Sequence, residues 1–464
     1  MSTTNRAPRA AMTLAVAVVC FASTGALAAG LYLAPRGVRP LARGGAFVAG
    51  ADDLHALSYN PAGLAYAEPQ GLIDLALSFY GVDYTRRVLP DSEPGEAVHG
   101  TGLRMPLPTL GAVWSFAAVP GLTLGAAIAA DYPTLQSWPD DDEAPQRYAA
   151  LNYDGTAIAS LQLGAGYRLG ELAAIGFAVV VQYGTFASQV TSSTCDGVIC
   201  TQPENPDFDS RIQVVAKHIL APAVHVGLTA TPAPALRLGI AWQSGANVDR
   251  EADLNIRLPT AATYADASLT PAEPKGQVSF AFPWQLRAGI EGRYEDTLRV
   301  ELAYVLEHWS SHDRIRIDAS DVTIRDLLAL GDYSLGVIDI DRGFRDTWSL
   351  RLGSEVTPPV GDGRPLAMRV GFVYEPSAIP DETLTAMTVD LDKFLVTGGA
   401  GWRFGELTLE GTIAHAFLRP REVRSSRVLQ TNPTRPPWSG RTPIGNGDYE
   451  GGATLVGIGA RLAL

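Results

Sequence analysis

What most constrains this chain is the order of its connections: short turns and long polar loops take strict turns between segments of period-two alternation. From Gly71 to Tyr84, Ile73, Leu75, Leu77 and Phe79 share one face, while Asp74, Ala76 and Ser78 share the other. Period-two alternation of this kind specifies a strand with one apolar face. Strands near 107–118 and 122–131 meet at Pro120-Gly121, a tight turn. Later pairs run near 154–169 and 172–190, 209–230 and 234–258, 276–294 and 297–318, 343–357 and 364–375, and 391–404 and 406–419. A last strand covers Tyr449–Leu464. Long loops separate these pairs, including 319–342 and 376–390. About 14 strands with short turns at one end and long loops at the other is the pattern of a bacterial outer-membrane barrel, and an even count returns both chain ends to the same side. The sequence therefore predicts an all-β fold, a 14-stranded antiparallel transmembrane β-barrel over residues 69–464.

The faces agree with that expectation. In 283–291, Trp284, Leu286, Ala288 and Ile290 oppose Gln285, Arg287, Gly289 and Glu291; in 347–355, Trp348, Leu350 and Leu352 oppose Ser349, Arg351, Gly353 and Glu355. The apolar set suits lipid and the polar set suits a lumen, because charge facing mid-bilayer costs ~2–4 kcal/mol. Charged residues make up 18% of the chain and there are 47 glycines, a combination that suits frequent turns and an uncharged outer face.

Residues 1–28 have the form of a secretory signal: Arg6 and Arg9, an uncharged run from Met12 to Leu27, and the Ala26-Leu27-Ala28 cleavage site. Its removal takes away two arginines and moves the net charge from −13 to −15, which argues against nucleic acid as a partner. No later segment has the ~18 consecutive apolar residues of a transmembrane helix. Residues 29–68 fit neither strand nor helix periodicity. They are rich in Gly and Ala, carry Asp52-Asp53, and end in Asn60-Pro61-Ala62-Gly63-Leu64. An irregular segment of this length needs surroundings that satisfy its backbone groups.

Two cysteines follow the signal, Cys195 and Cys200, in a polar loop of an exported chain, and they are expected to pair as a structural staple. Two thiols are too few for a metal site, the seven histidines have no metal spacing, and no cofactor motif is present. Asp140-Asp141-Asp142-Glu143 is expected to be a solvated run. Ser310 lies near His308, but adjacent strand residues face opposite ways and no orienting partner is evident, so hydrolysis is not expected.

The Asn60-Pro61-Ala62-Gly63 motif after its Ala/Asp-rich run resembles the N-terminal hatch of the FadL/TodX family of outer-membrane hydrocarbon transporters. Tyr304–Ile317, with its Trp-Ser pair, Trp348–Pro380, ending in aromatic-x-x-Ser-x-x-Pro, and Asp390–Phe404 resemble that family's later strands in the same order. Leu464 departs from the aromatic terminus common in such barrels. The resemblance implies passive uptake of long-chain fatty acids or other hydrophobic compounds through a hatch-gated barrel with a side exit. It implies outer-membrane lipid and lipopolysaccharide and the barrel-insertion machinery as partners. A closed barrel needs no partner to cover an edge, so a monomer is the default. A water-filled general porin or surface-binding barrel is the alternative use of this scaffold.

Several residues are candidates for contact with substrate. Arg287, Arg351 and Arg369, on the lumen face with Glu291, Arg299, Glu301, Glu355 and Glu375, could pair with a carboxylate or form a ladder of salt bridges. Ile324, Leu327 and Leu328 have the spacing of a short exposed apolar helix at the cell surface, with Leu135 and Trp138 beside it. Gly125 and Pro133 are candidates for a strand kink at the side exit.

Overall fold

The computed structural model describes residues 36–102, 106–130, 136–195, 200, 202, 204–327, 331–360, 363, 365–432 and 439–464. The signal, Leu135, Leu328 and Pro133 lie outside the described residues. The wall is a closed barrel of 14 antiparallel strands: β1 Gln70–Arg86, β2 Pro106–Ser115, β3 Leu122–Ala130, β4 Ala157–Leu169, β5 Ala173–Ser193, β6 Asp209–Ala233 and β7 Leu236–Gln243, then β8 Gln285–Tyr294, β9 Leu298–Glu307, β10 Thr347–Val356, β11 Leu366–Glu375, β12 Lys393–Phe404, β13 Leu407–Leu418 and β14 Gly447–Ala463. Each pairs with the next in sequence. The seam between β1 and β14 runs unbroken from Gln70–Ala463 to Arg86–Gly447. Among the described residues no helix is long and apolar enough to cross a membrane; the crossing is made by strands.

Side-chain alternation sorts the faces as the sequence requires. On β1, Ile73, Leu75, Leu77 and Phe79 are 40–55% exposed, while Asp74 and Ser78 are buried towards the lumen. The outward row continues through Val224, Val226 and Leu228 of β6 and Leu238, Ile240 and Trp242 of β7.

Above this belt the chain departs from the sequence reading. The segments read as single strands over 234–258, 276–294 and 297–318 are each broken in the structure. Breaks fall between Gln243 and Ala246, at Pro283-Trp284, and between Glu307 and Arg314. Proline has no amide to give to a ladder, which accounts for the second break. The outer pieces re-pair as a taller rim: Ala246–Arg257 lies between β6 and Lys275–Phe282, which pairs in turn with Arg314–Leu327. The loop expected over 319–342 is instead most of a hairpin, Arg314–Leu327 with Gly331–Asp341.

That hairpin corrects the reading of an exposed apolar helix. Ile324 and Leu327 lie on a strand and are each 3% exposed. The register shifts between them, and Asp326 has φ 56°. A β-bulge adds one residue, so two side chains three apart reach the same face, a spacing that otherwise signals a helix. Trp138 is likewise interior rather than part of a surface groove: its indole N–H donates to Ala386 O at 3.0 Å, joining two inward loops. Trp138, Ile324 and Leu327 all belong to one apolar interior that fills the rim.

Candidate functional site

Below that interior, residues 36–67 form a plug inside the barrel. It contains the short helices α1 Val38–Ala42 and α2 Ala56–Tyr59 and a 3-10 turn over Pro61–Tyr66. These pieces are too short to bury an amphipathic face of their own, so the wall satisfies their backbone. Glu301 of β9 does most for one stretch: Val48 N and Ala49 N donate to its Oε1 at 2.6 and 2.9 Å, and Gly50 N donates to Oε2 at 2.9 Å. Asn60 does the same for the turn. Its Nδ2 donates to Val48 O at 2.9 Å and to Thr229 Oγ1 at 3.2 Å, and its Oδ1 accepts from Ala62 N at 3.2 Å. Pro61 occupies the first helical position, where its missing N–H costs nothing. Ala62 and Leu64 are fully buried, and a Cβ on Gly63 would stand 2.6 Å from Ala51 O.

Where the plug backbone lies closest, the wall is glycine. Gly166, Gly176 and Gly227 sit side by side on β4, β5 and β6, Gly239 and Gly289 on β7 and β8, and Gly353 and Gly371 on β10 and β11. A Cβ at these positions would come within 2.0–2.7 Å of an atom of the plug or of Glu301. The glycine content that suited turns in the sequence is here also what lets the plug backbone lie against the wall.

Charge fastens the two together. Arg39 reaches Asp52 at 2.7 Å and Asp53 at 2.9 Å within the plug, and grips Glu355 of β10 with Nε and Nη2, both at 3.1 Å. Arg43 reaches Glu291 at 2.8 Å and Glu301 at 3.5 Å. Arg299 of β9 returns the contact to Asp52 at 2.7 Å. Phe47 lies beneath both plug guanidiniums, 5.3 Å from that of Arg39 and 5.5 Å from that of Arg43. His55 bridges Asp53 at 3.0 Å and Asp74 of β1 at 2.9 Å. Burial alone would lower the His55 pKa; the Asp53 carboxylate and then Asp74 overcome it and raise it to about 10. Burial pushes Asp53 the other way, but His55, then Arg39 and Arg461, hold it well below the usual carboxylate range. The Asp52-Asp53 pair stands out in the sequence, but Arg39, Arg43 and His55 do not; the signal available for them was charge within an otherwise Gly/Ala-rich, aperiodic segment.

Of the three candidate arginines, Arg369 is taken up in the salt-bridge ladder, 2.6 Å from Glu355 and 2.9 Å from Glu410. Arg351 donates to Ser349 at 3.0 Å and lies 3.8 Å from Glu375. Arg287 bonds to Gln285 and has no carboxylate within 4 Å among the described residues. Arg287 and Arg351 border a small cavity between plug and wall. A second, apolar pocket lies in the rim and is lined by Leu254, Ile256, Tyr264, Ile317, Ile324 and Leu335 among others.

The remaining candidates are placed as follows. Gly125 is not a kink: it pairs regularly with Val113 and Gly164 and faces Leu64 and Leu57 of the plug. Cys195 and Cys200 are joined by a disulfide with Cα atoms 5.1 Å apart. Asp142 pairs with Arg211 and Arg257, and no metal-holding cluster occurs among the described residues. Ser310 and His308 do meet an acid, Asp346, but the same ring nitrogen, Nδ1, contacts both Asp346 at 2.9 Å and Ser310 at 3.3 Å. A relay needs one nitrogen for the acid and the other for the nucleophile.

A closed barrel with an apolar belt, an apolar rim and a charge-fastened plug defines an outer-membrane transport protein of the plugged type. The chain belongs to the family of outer membrane transport proteins (OMPP1/FadL/TodX), whose family model matches residues 19–463. In fold it is similar to a Pseudomonas aeruginosa FadL homologue (TM-score 0.75, 15% identity, 94% of this chain and 100% of that one). It is also similar to the Ralstonia pickettii toluene transporter TbuX (0.58, 16%, 92% and 98%) and the P. putida toluene transporter TodX (0.62, 12%, 91% and 98%). No curated protein matches it in sequence.

Proposed function

We propose that this protein carries hydrophobic small molecules, long-chain fatty acids or hydrocarbons, across the outer membrane down their gradient. The observation that carries the reading is vertical order: an apolar pocket in the external rim, an apolar interior beneath it, and a plug below held by ion pairs. A solute that crosses a polar surface layer poorly gains from an apolar pocket, whereas an open aqueous pore gives it nothing. Residues 36–67 act as the hatch, with Asn60-Pro61-Ala62-Gly63-Leu64 as the turn that seats it. The rim pocket at Ile324 is the capture site, and Leu327 and Trp138 continue the apolar path inward. A sideways exit into the bilayer completes this route. The toluene transporters among its structural relatives make aromatic hydrocarbons a cargo class to test beside fatty acids. The closed seam leaves no free sheet edge, which favours a monomer.

The test is uptake of labelled oleate and labelled toluene by cells lacking their own transporter, with and without this protein. A second strain carries Asn60→Ala with Pro61→Ala. Uptake by the wild type, lowered in the variant at equal surface level, supports the reading. Absence of uptake of either compound, together with steady ion conductance in planar bilayers, would replace it with a porin.

A further inference from the structure

Two inward loops meet inside the barrel on the external side of the plug. One is residues 376–392, which join β11 to β12; the other is residues 136–156, which belong to the connection from β3 to β4. Their roots lie on nearly opposite walls. Seven strand-to-strand steps separate β4 from β11 one way round, and five separate β12 from β3 the other way. The meeting point is the backbone at the tip of the first loop. From the second loop, Trp138 Nε1 donates to Ala386 O at 3.0 Å and the Tyr153 hydroxyl to Met387 O at 2.5 Å. Tyr80 of β1 donates to Val389 O at 3.0 Å. Arg342 reaches Met387 Sδ at 2.8 Å and also Thr388 Oγ1. Leu384, Ala386 and Val389 are buried there in the apolar interior.

The height of this contact follows from β1. His55 of the plug reaches Asp74, and Tyr80 lies six residues further out on the same strand, about 20 Å along it at ~3.3 Å per residue. On the external side, Leu335 and Ile338 of Gly331–Asp341, the strand that leads into Arg342, line the rim pocket. The tip therefore stands between pocket and plug. Root and tip are held differently. At the root, Asp390 accepts from Ala378 N at 2.9 Å and from Lys393 Nζ at 2.6 Å, and Lys393 also reaches Glu375 of β11 at 3.2 Å. At the tip the three aromatic bonds are neutral, and Arg342 meets neutral acceptors. Breaking a buried ion pair costs far more than releasing a neutral hydrogen bond, so the tip parts before the root. We propose that the 376–392 loop is an inner gate. Residues 384–389 swing off Trp138, Tyr153 and Tyr80 about the fixed root at Asp390 and Lys393, so cargo passes one barrier before it reaches the plug. The proposal rests on the transport reading above, in which the rim pocket receives the cargo.

Two measurements on the full-length protein test the gate. The first reads opening without cargo. Val389→Cys, a nearly isosteric change, is labelled with a small maleimide in isolated outer membranes, and peptide mass quantifies the label at residue 389. Adding Trp138→Phe with Tyr153→Phe should speed labelling by about fivefold for each hydrogen bond lost. Adding Asn60→Ala instead, which loosens the plug, should not. Unchanged labelling in the first case, or equal acceleration in the second, would overturn the gate.

The second measurement reads passage. A Cβ on Gly343 would stand 3.7 Å from Thr383 Cβ, within the range a disulfide spans. Gly343→Cys with Thr383→Cys therefore ties residues 384–389 between a cross-link and the root. Oxidation should abolish uptake of labelled oleate and toluene by this variant, and reductant should restore it, while the wild type shows no such cycle. Full uptake by the cross-linked protein would overturn the gate. If the wild type carries neither compound, the transport reading fails, and the labelling result alone decides whether the tip opens. The labelling result also decides alone if the cysteine pair does not fold.

Discussion

A Cβ placed on Gly227 would stand 2.0 Å from Asn60 Oδ1. The wall strand β6 and the turn of the plug are therefore fitted to each other to within the volume of one methyl group. Gly227→Ala should push Asn60 away from Val48 O and Thr229 and unseat the turn, at a cost of about 1–3 kcal/mol for an overpacked site. The barrel should still assemble, but its thermal midpoint should fall and its conductance in planar bilayers should become larger or noisier. A variant with wild-type midpoint and wild-type conductance would show that Asn60 does not depend on that glycine.

Glu301 is the second fastening to test. It receives three consecutive plug amides and lies 3.5 Å from Arg43. Glu301→Gln keeps the shape and removes the charge, leaving buried Arg43 dependent on Glu291 alone. Breaking one partner of a buried pair costs roughly 3–5 kcal/mol, and residues in one network do not add. Arg43→Met should be destabilising by itself, and adding it to Glu301→Gln should cost less than the two separate losses. Strict additivity in denaturant melts would mean that the two side chains act apart.

How much of this was legible in the sequence depends on the distance over which each feature is encoded. Ile73, Leu75, Leu77 and Phe79 on β1, like Trp284 to Glu291 at β8, declare their faces through neighbours two residues away, so the alternation placed them correctly. The lumen-facing charges were legible for the same reason. Their partners were not, because Arg43 meets Glu291 across 248 residues. The glycines were read as turn formers; their fit to the plug is a property of two chain segments together, as at Gly176 against Pro61. The rim was misread where local breaks override periodicity, at Pro283 and at the bulge around Asp326, which gave Ile324 and Leu327 helical spacing on a strand.

The clasp at His55 fixes a pH dependence. Its pKa is raised from about 6.5 in the unfolded chain to about 10 in the folded one by Asp53 and Asp74. Stability from this group is thus fully present below pH ~6.5 and is lost as pH rises towards 10. Asp53, held below its ordinary value, adds stability above pH ~4 that is lost in acid. The wild type should therefore lose more stability than His55→Gln between pH 7 and 10. Parallel midpoint-against-pH curves for the two proteins would show that His55 does not carry this charge.

The rim pocket makes the proposed capture step testable apart from the plug. Ile324 is buried among Leu254, Ile317 and Leu335, while its neighbour Arg325 faces outward and pairs with Asp332. Ile324→Asp puts a carboxylate where apolar cargo would first lose its water. Burying one large aliphatic side chain is worth about 1.5–3 kcal/mol, so removing that contact should lower uptake at limiting cargo by roughly tenfold or more. The loss should shrink as cargo concentration rises, because capture and not passage is impaired. Arg325→Ala, one residue away on the opposite face, should leave uptake unchanged. If both variants transport like the wild type at equal surface level, cargo enters elsewhere. If Ile324→Asp is equally impaired at saturating cargo, the residue serves the channel's passage rather than its mouth.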